Sequence, residues 1–259
     1  MANTTWSTTD KTANITLTGS NLTATQSASG ANGGVRGGAD GKNIKGGGKF
    51  YWETTQAVTV NIQTGAGICR SDAALTGGIG VSMSLGACGL GHNGLFYVDR
   101  TNTLNFGTQV NGSVVCWALD TGLGQVWLRV GAGGLWNLSA TANPTSGSGG
   151  VVLPWAANLY PWCSLGALND QVVANFGDTG FAGAVPGGFT PGWPVGADPL
   201  MAAATQVAAE HWFAANPNAQ ITQVALEHWM SVSTTNLQAI VTQVMLEHWT
   251  SVASVGDVT

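Results

Sequence analysis

Short apolar or alternating runs, each closed by Gly, Asn, Asp or Pro, succeed one another from residue 4 to residue 176, and no other feature constrains the fold as much. Ala13, Ile15 and Leu17 alternate with Asn14, Thr16 and Thr18, the periodicity of a strand with one buried face. Further strands are predicted at Lys49–Glu53, Val58–Ile62, Gly78–Met83, Gly94–Val98, Val114–Asp120, Gln125–Val130, Leu159–Leu165 and Gln171–Phe176. Regular short strands separated by turn residues predict an all-β chain, an antiparallel sandwich or barrel with almost no helix before residue 190. Composition points the same way. With 38 glycines and only 8% charged residues, there is too little Glu and Lys for long solvated helices, while 44% hydrophobic residues suffices for a packed core.

The formal charge is −5, and its placement is uneven: all eight Lys and Arg residues lie at or before Arg129, and only acidic charges follow. A nucleic-acid partner needs clustered cations, so none is expected. No apolar stretch is long enough to span a bilayer and no charged-then-apolar leader opens the chain, so neither membrane insertion nor a signal peptide is expected. In a reducing cytoplasm Cys69, Cys88, Cys116 and Cys163, which lack C-x-x-C spacing, read as small hydrophobes. No cofactor is implied.

Residues 182–200 carry Pro186, Pro191, Pro194 and Pro199 among glycines and read as a stiff connector excluded from a central sheet. The expected organisation is a sandwich over 1–182, a linker over 183–200 and a repeat segment over 201–259. The repeats are Thr205–Trp212, Thr222–Trp229 and Thr242–Trp249, each Thr-Gln-Val-x-x-Glu-His-Trp. Their periodicity fits a strand or a helix; β-branched and aromatic content favours strands. His211, His228 and His248 on successive strands about 4.8 Å apart would not converge on one metal at bonds of roughly 2.0–2.1 Å, so no metal site is expected. Val207, Trp212, Val224, Leu226, Trp229, Val244, Leu246 and Trp249 are expected to form an assembly surface closing a homo-oligomer, with a trimer favoured. The alternative is that the repeats fold back onto the sandwich of one monomer.

Gly112–Gly131 reads GSVVCWALDTGLGQVWLRVG, a strand ending in Leu-Asp, a glycine turn and an aromatic-bearing return strand, and it resembles the central hairpin of the SPRY family. Gly48-Lys-Phe-Tyr-Trp-Glu53, Tyr160-Pro161 and Asn175-Phe-Gly177 followed by Phe181 resemble other landmarks of that family, in order, over roughly residues 4 to 189. The resemblance implies a concanavalin-like jelly-roll sandwich serving recognition. Trp52, Trp117 and Trp127 are then core residues, Phe176 and Phe181 close one end, and Cys116, Ala118, Val126 and Leu128 line one buried hairpin face. The loop after the return strand, Leu128–Trp136, departs from the family pattern, so ligand specificity does not carry over.

The terminal repeats are similar to Thr-Gln-Val-x-x-Glu repeats at the ends of phage structural proteins, with His-Trp replacing the more usual aliphatic ending. Together the resemblances imply an exterior phage virion protein of head, collar or tail fibre, made in the host cytoplasm. It would contact other virion proteins and a host-surface glycan or protein. The alternative is a freestanding bacterial lectin-like or protein-binding module. Catalysis is not expected. His92 is the lone histidine of the sandwich, Gly80-Val-Ser82 is no nucleophile elbow, and Glu53, Asp99, Asp120 and Asp170 form no evident pair. The longest irregular loops offer Arg36, His92, Trp136, Asn137 and Trp155 as ligand-binding candidates, the two tryptophans as platforms for a sugar ring and Asn137 as a hydrogen-bonding group.

Overall fold

The computed structural model describes residues 3–38, 42–43, 48–155, 157–193 and 195. The strands are β1 (Trp6–Lys11), β2 (Ile15–Thr18), β3 (Thr23–Gln26), β4 (Gly33–Gly37), β5 (Lys42–Asn43), β6 (Lys49–Val58), β7 (Gly65–Arg70), β8 (Ala87–Gly91), β9 (Leu95–Val98), β10 (Thr101–Asn105), β11 (Ser113–Asp120), β12 (Gln125–Val130), β13 (Val151–Val152), β14 (Asn158–Leu165), β15 (Gln171–Asn175) and β16 (Thr190–Pro191). They form two sheets. The first runs β1-β4-β14-β7-β8-β9-β10, with β5 on β14; the second runs β13-β12-β11-β6-β15-β3-β2, with β16 on β6. Pairing is antiparallel except for β16, which runs parallel to β6. Among the described residues the only helical element is a single 3-10 turn, Trp136–Leu138. The expected all-β antiparallel sandwich is the fold observed.

The core lies between the sheets. Trp6, Val35, Ala66, Ile68, Leu90, Phe96 and Leu165 from the first meet Ile15, Phe50, Trp52, Val115, Trp117, Leu119, Val126 and Leu128 from the second. Trp52 and Trp117 face each other across the β6–β11 register and stack at 6.1 Å between ring centroids. Burying each indole leaves an N–H to satisfy: Trp117 donates its own to Thr54 Oγ1 at 2.9 Å, while Trp52 Nε1 is buried without a hydrogen-bond partner.

The hairpin β11–β12 is buried on both faces, and its residues sort differently from the expectation. Trp117 sits opposite Leu128 and Leu119 opposite Val126, and these point into the sandwich. Cys116 opposite Arg129 and Ala118 opposite Trp127 point outward, where a second apolar cluster with Tyr51 and Phe189 covers them. Equivalent positions in two antiparallel strands follow from register, which sequence alone did not supply. Phe176 and Phe181 likewise part company: Phe176 packs on Trp6 in the main core, and Phe181 on Tyr51 outside it.

Two predicted strands are loops. Val58–Ile62 begins where the ten-residue β6 ends, and Gly78–Met83 is a loop whose Ile79 and Met83 pack on Cys69, Ala87 and Trp162 over the outer face of the first sheet. Conversely β4, β7 and β8 lie in glycine-rich sequence where no strand is predicted. A Cβ at Gly65 would collide with the carbonyl oxygen of Leu90, and one at Gly67 with that of Cys88, so the close approach of β7 to β8 requires glycine there.

The expected connector is also corrected over its first half. β15 pairs with β6 from Glu53 onward, leaving the edge at Phe50 and Tyr51 open. Thr190 and Pro191 pair there in parallel, Gly192 N–H donates to the Tyr51 carbonyl at 2.6 Å, and Trp193 packs its ring on Phe50 and Trp52. Proline is tolerated because this strand is two residues long. The sandwich therefore extends through Trp193. The repeat segment, with Val207, Trp212, Val224, Leu226, Trp229, Val244, Leu246 and Trp249, lies outside the described residues.

Candidate functional site

One end of the sandwich is built from the loops 59–64 after β6, 92–94 after β8, 106–112 after β10 and 166–170 after β14. Their sequences contain no Lys, Arg or Glu, and Asp170 is the one acid. Its carboxylate is fully buried and organises the end. Oδ1 accepts from the Val60 N–H at 2.6 Å; Oδ2 accepts from the Thr64 hydroxyl, from the Ala167 N–H at 2.8 Å and from the Gly166 N–H at 3.2 Å. Four donors replace the water that burial removes, which is the condition for keeping a carboxylate there. Asn61 adds a tie, donating from Nδ2 to the Gly166 carbonyl at 3.3 Å.

A second network joins the other two loops. Thr59 donates its N–H (3.0 Å) and its hydroxyl (2.7 Å) to Asn111 Oδ1, so its Oγ1 accepts from His92 Nδ1 at 2.7 Å. Gln56 Oε1 lies 3.2 Å from the same nitrogen. Backbone bonds complete the weave: His92 N–H to the Thr64 carbonyl (2.8 Å), Gln109 N–H to the His92 carbonyl (2.8 Å) and Gly112 N–H to the Gln56 carbonyl (2.8 Å).

This rigid end displays aliphatic side chains to solvent. Val60 is 72% exposed, Val110 70% and Ile62 60%, with Val58 and Leu168 beside them. Single exposed aliphatics are ordinary. Four on loops tied together by hydrogen bonds, with Val58 at the end of β6, give this end an exposed aliphatic character beside neutral polar groups, the pattern of a surface that meets a partner.

Of the five residues predicted for binding, His92 alone belongs to this end. Arg36 is buried: it pairs with Asp10 at 2.7 Å, donates from Nε to the Arg70 carbonyl at 3.1 Å and reaches the Ala73 carbonyl, which ties β4 to the far end of β7. Asn137 is buried too. In the left-handed region at φ 47°, it accepts from the Leu128 N–H at 2.9 Å and donates to the Gly149 carbonyl at 2.8 Å, pinning the loop between β12 and β13. Trp155 packs into the main core and donates to Asp99 Oδ2 at 2.8 Å, at the opposite end of β8 from His92. These three are corrected from ligand-facing to scaffold, because their polar groups satisfy backbone or carboxylate partners that burial would otherwise strand. Trp136 is half-buried, and the Arg129 guanidinium lies over one face of its ring, 4.4 Å from the centroid.

The residues that sequence reading missed are Gln56, Thr59, Gln109 and Asn111, with the aliphatic rim. Their signals were the Asn-Gly turns at 93–94 and 111–112 and the apolar run at 58–62, which fits a strand equally well.

The outer face of the second sheet holds a different cluster, closed by residues 181–189. Glu53 is buried and accepts from the Tyr51 hydroxyl at 2.6 Å, the Gly183 N–H at 2.8 Å and the Ala182 N–H at 2.9 Å. Burial, with Cys116 and Glu53 adjoining, pushes the Tyr51 hydroxyl far above its ordinary value. Burial also raises all four thiols, Cys69 to about 12, so none offers a thiolate near neutral pH. Among the described residues no three His, Cys, Asp or Glu side chains form a metal-binding group, and no helix is long and apolar enough to cross a membrane.

No family model and no curated sequence matches the chain. Solved structures do. The SPRY domain of human HERC1 aligns with 14% identity and a TM-score of 0.51, covering 68% of this chain and 99% of that domain. A human SPRY domain aligns with 15% identity and a TM-score of 0.48 over 64% of this chain and 97% of its own. The PSpry domain of TRIM65 gives 12% identity and a TM-score of 0.45 over 67% and 89%. The likeness to the HERC1 domain establishes the fold.

Proposed function

We propose that this SPRY-fold sandwich is a non-enzymatic recognition module carried on the exterior of a phage virion, and that its loop end around His92 binds a protein on the host surface. The observation that carries the reading is the exposed rim of Val60, Ile62 and Val110 on loops held by Asp170, Thr59 and Asn111. A pre-ordered apolar surface loses little freedom on binding, the condition for affinity from a modest area. An aliphatic rim favours a protein over a glycan, and Arg129 already stacks on Trp136, the half-buried tryptophan of the predicted sugar loop. Placement on a virion rests on the resemblance of the repeats in 201–259, which would dock to other virion proteins and close a trimer.

The test is V60D combined with V110D. The double variant is expected to fold, to copurify with intact particles and to leave them unable to adsorb to the host. Normal adsorption by particles carrying it overturns the recognition surface. Absence of the protein from intact particles overturns the virion reading in favour of a freestanding module.

A further inference from the structure

The connection from β7 to β8, residues 71–86, contains no strand or helix, and its ends meet: the Arg70 N–H donates to the Gly86 carbonyl at 2.8 Å. A long segment closed in this way is an Ω-loop, a form that is frequently functional. This one is anchored. Ile79 and Met83 are buried with Cys69, Ala87 and Trp162, and the Met83 N–H donates to the Gly80 carbonyl at 3.2 Å. Val81 and Ser82 are thus the tip of a turn whose two flanks are fixed, and Val81 stands 74% exposed.

The tip lies at the His92 end of the sandwich. The Ile79 N–H donates to the Gln63 carbonyl at 3.0 Å, Gln63 Nε2 donates to Ser82 Oγ at 3.4 Å, and Ser164 Oγ donates to the Gly77 carbonyl at 3.1 Å. These bonds tie the turn to the 59–64 loop, which carries Val60 and Ile62. Leu85 is 60% exposed on the same Ω-loop but belongs to the other end, where the Gly86 N–H donates to Asp99 Oδ1 at 2.6 Å and Arg70 pairs with Asp72.

We propose that the protein-binding surface at the His92 end continues onto the tip of this Ω-loop, where Val81 meets an uncharged, apolar segment of the partner. This rests on the reading of that end as a recognition surface, and it names how far the surface extends and what it selects. Residues 59–64 and 73–86 contain no Lys, Arg, Asp or Glu, and Asp170 is enclosed by its own four donors. A charged partner side chain pressed here would lose its water and find no counterion, whereas an aliphatic one gains from burial. Because its flanks are already ordered, the turn gives up little freedom on binding. Leu85, beside an ion pair and Asp99, lies outside this surface.

The experiment introduces V81D, V81K and L85D one at a time into the full chain and measures adsorption of the particles to the host, with urea unfolding of each purified chain as the check on folding. V81D and V81K are expected to slow adsorption alike, by about tenfold or more, and L85D is expected to adsorb as the wild type does. Normal adsorption by V81D overturns the proposal, and so does an equal loss in L85D, which would be a response to charge anywhere on the loop. Faster adsorption by V81K than by wild type would mean an acidic partner segment, and by V81D a basic one; either overturns the apolar assignment. Should a charged variant unfold, V81S carries the test: a smaller loss in the same direction supports the contact and none overturns it. If V81D adsorbs normally while V60D/V110D fails to adsorb, only this inference falls; if V60D/V110D adsorbs normally, the surface it extends falls with it.

Discussion

Replacing Asp170 by Asn keeps the shape of the side chain and removes one acceptor. In the wild type Oδ2 accepts from Thr64, Gly166 and Ala167 while Oδ1 accepts from Val60. The single amide oxygen of Asn serves the three-donor side best, which turns its NH2 group toward the Val60 N–H. Three bonds then lose charge assistance and one buried donor faces another. Taking a neutral bond as about 1 kcal/mol and a charged one as about twice that, the three weakened bonds lose ~3 kcal/mol and the unsatisfied buried donor costs a further ~1–3, so the loss is roughly 4–6 kcal/mol. Native-state hydrogen exchange reads this directly. Protection of the Val60, Gly166 and Ala167 amides is expected to fall about a thousandfold to ten-thousandfold, at about 1.4 kcal/mol per factor of ten, while amides of the β11–β12 hairpin change less. The partner surface would loosen with its loops, so adsorption weakens although no contact residue has changed. A fall in protection below about threefold refutes the reasoning, because the carboxylate would then not be what orders this end.

Trp193→Ala is expected to destabilise the sandwich by ~3–5 kcal/mol in urea unfolding, since its ring fills the core against Phe50 and Trp52. Truncation after Ala182 is expected to unfold or aggregate the domain, whereas truncation after Val195 leaves it folded; equal stability of the two would show that residues 183–193 contribute nothing. Burial holds the thiols protonated, so the stability they contribute is present below the unfolded thiol value near ~8.5 and is lost as pH rises toward the folded value, about 12 for Cys69. Unfolding free energy should therefore decline above about pH 8.5, and a flat profile to pH 10 or rapid iodoacetamide labelling of the native chain at neutral pH counts against it. Asn137→Ala is expected to cost ~2–4 kcal/mol, because it strands the Leu128 N–H and the Val126 and Gly149 carbonyls; a loss under 0.5 kcal/mol would return this residue to the list of candidate ligand groups.

Alternation, turn residues and the scarcity of charge determined that this chain makes an antiparallel sandwich, because a period of two under frequent glycine and asparagine has few other ways to bury its apolar face. Strands with a strong local signature, such as Ser113–Asp120 and Gln125–Val130, were legible almost to the residue. Tertiary structure alone decided the rest. Gly33–Gly37 and Gly65–Arg70 are strands because neighbouring backbones come too close for a side chain, a condition set by strands far away in sequence. Pro191 joins a sheet because β15 leaves two positions of β6 open. The candidate site shows the same division. His92 was visible as the only histidine of the sandwich, but its partners Gln56, Thr59, Gln109 and Asn111 lie on separate segments, and only the stacking of those loops makes them one surface. Arg36, Asn137 and Trp155 looked like loop residues free to bind. Whether such a polar group meets solvent or a buried carbonyl depends on what folds over it, and no local pattern encodes that.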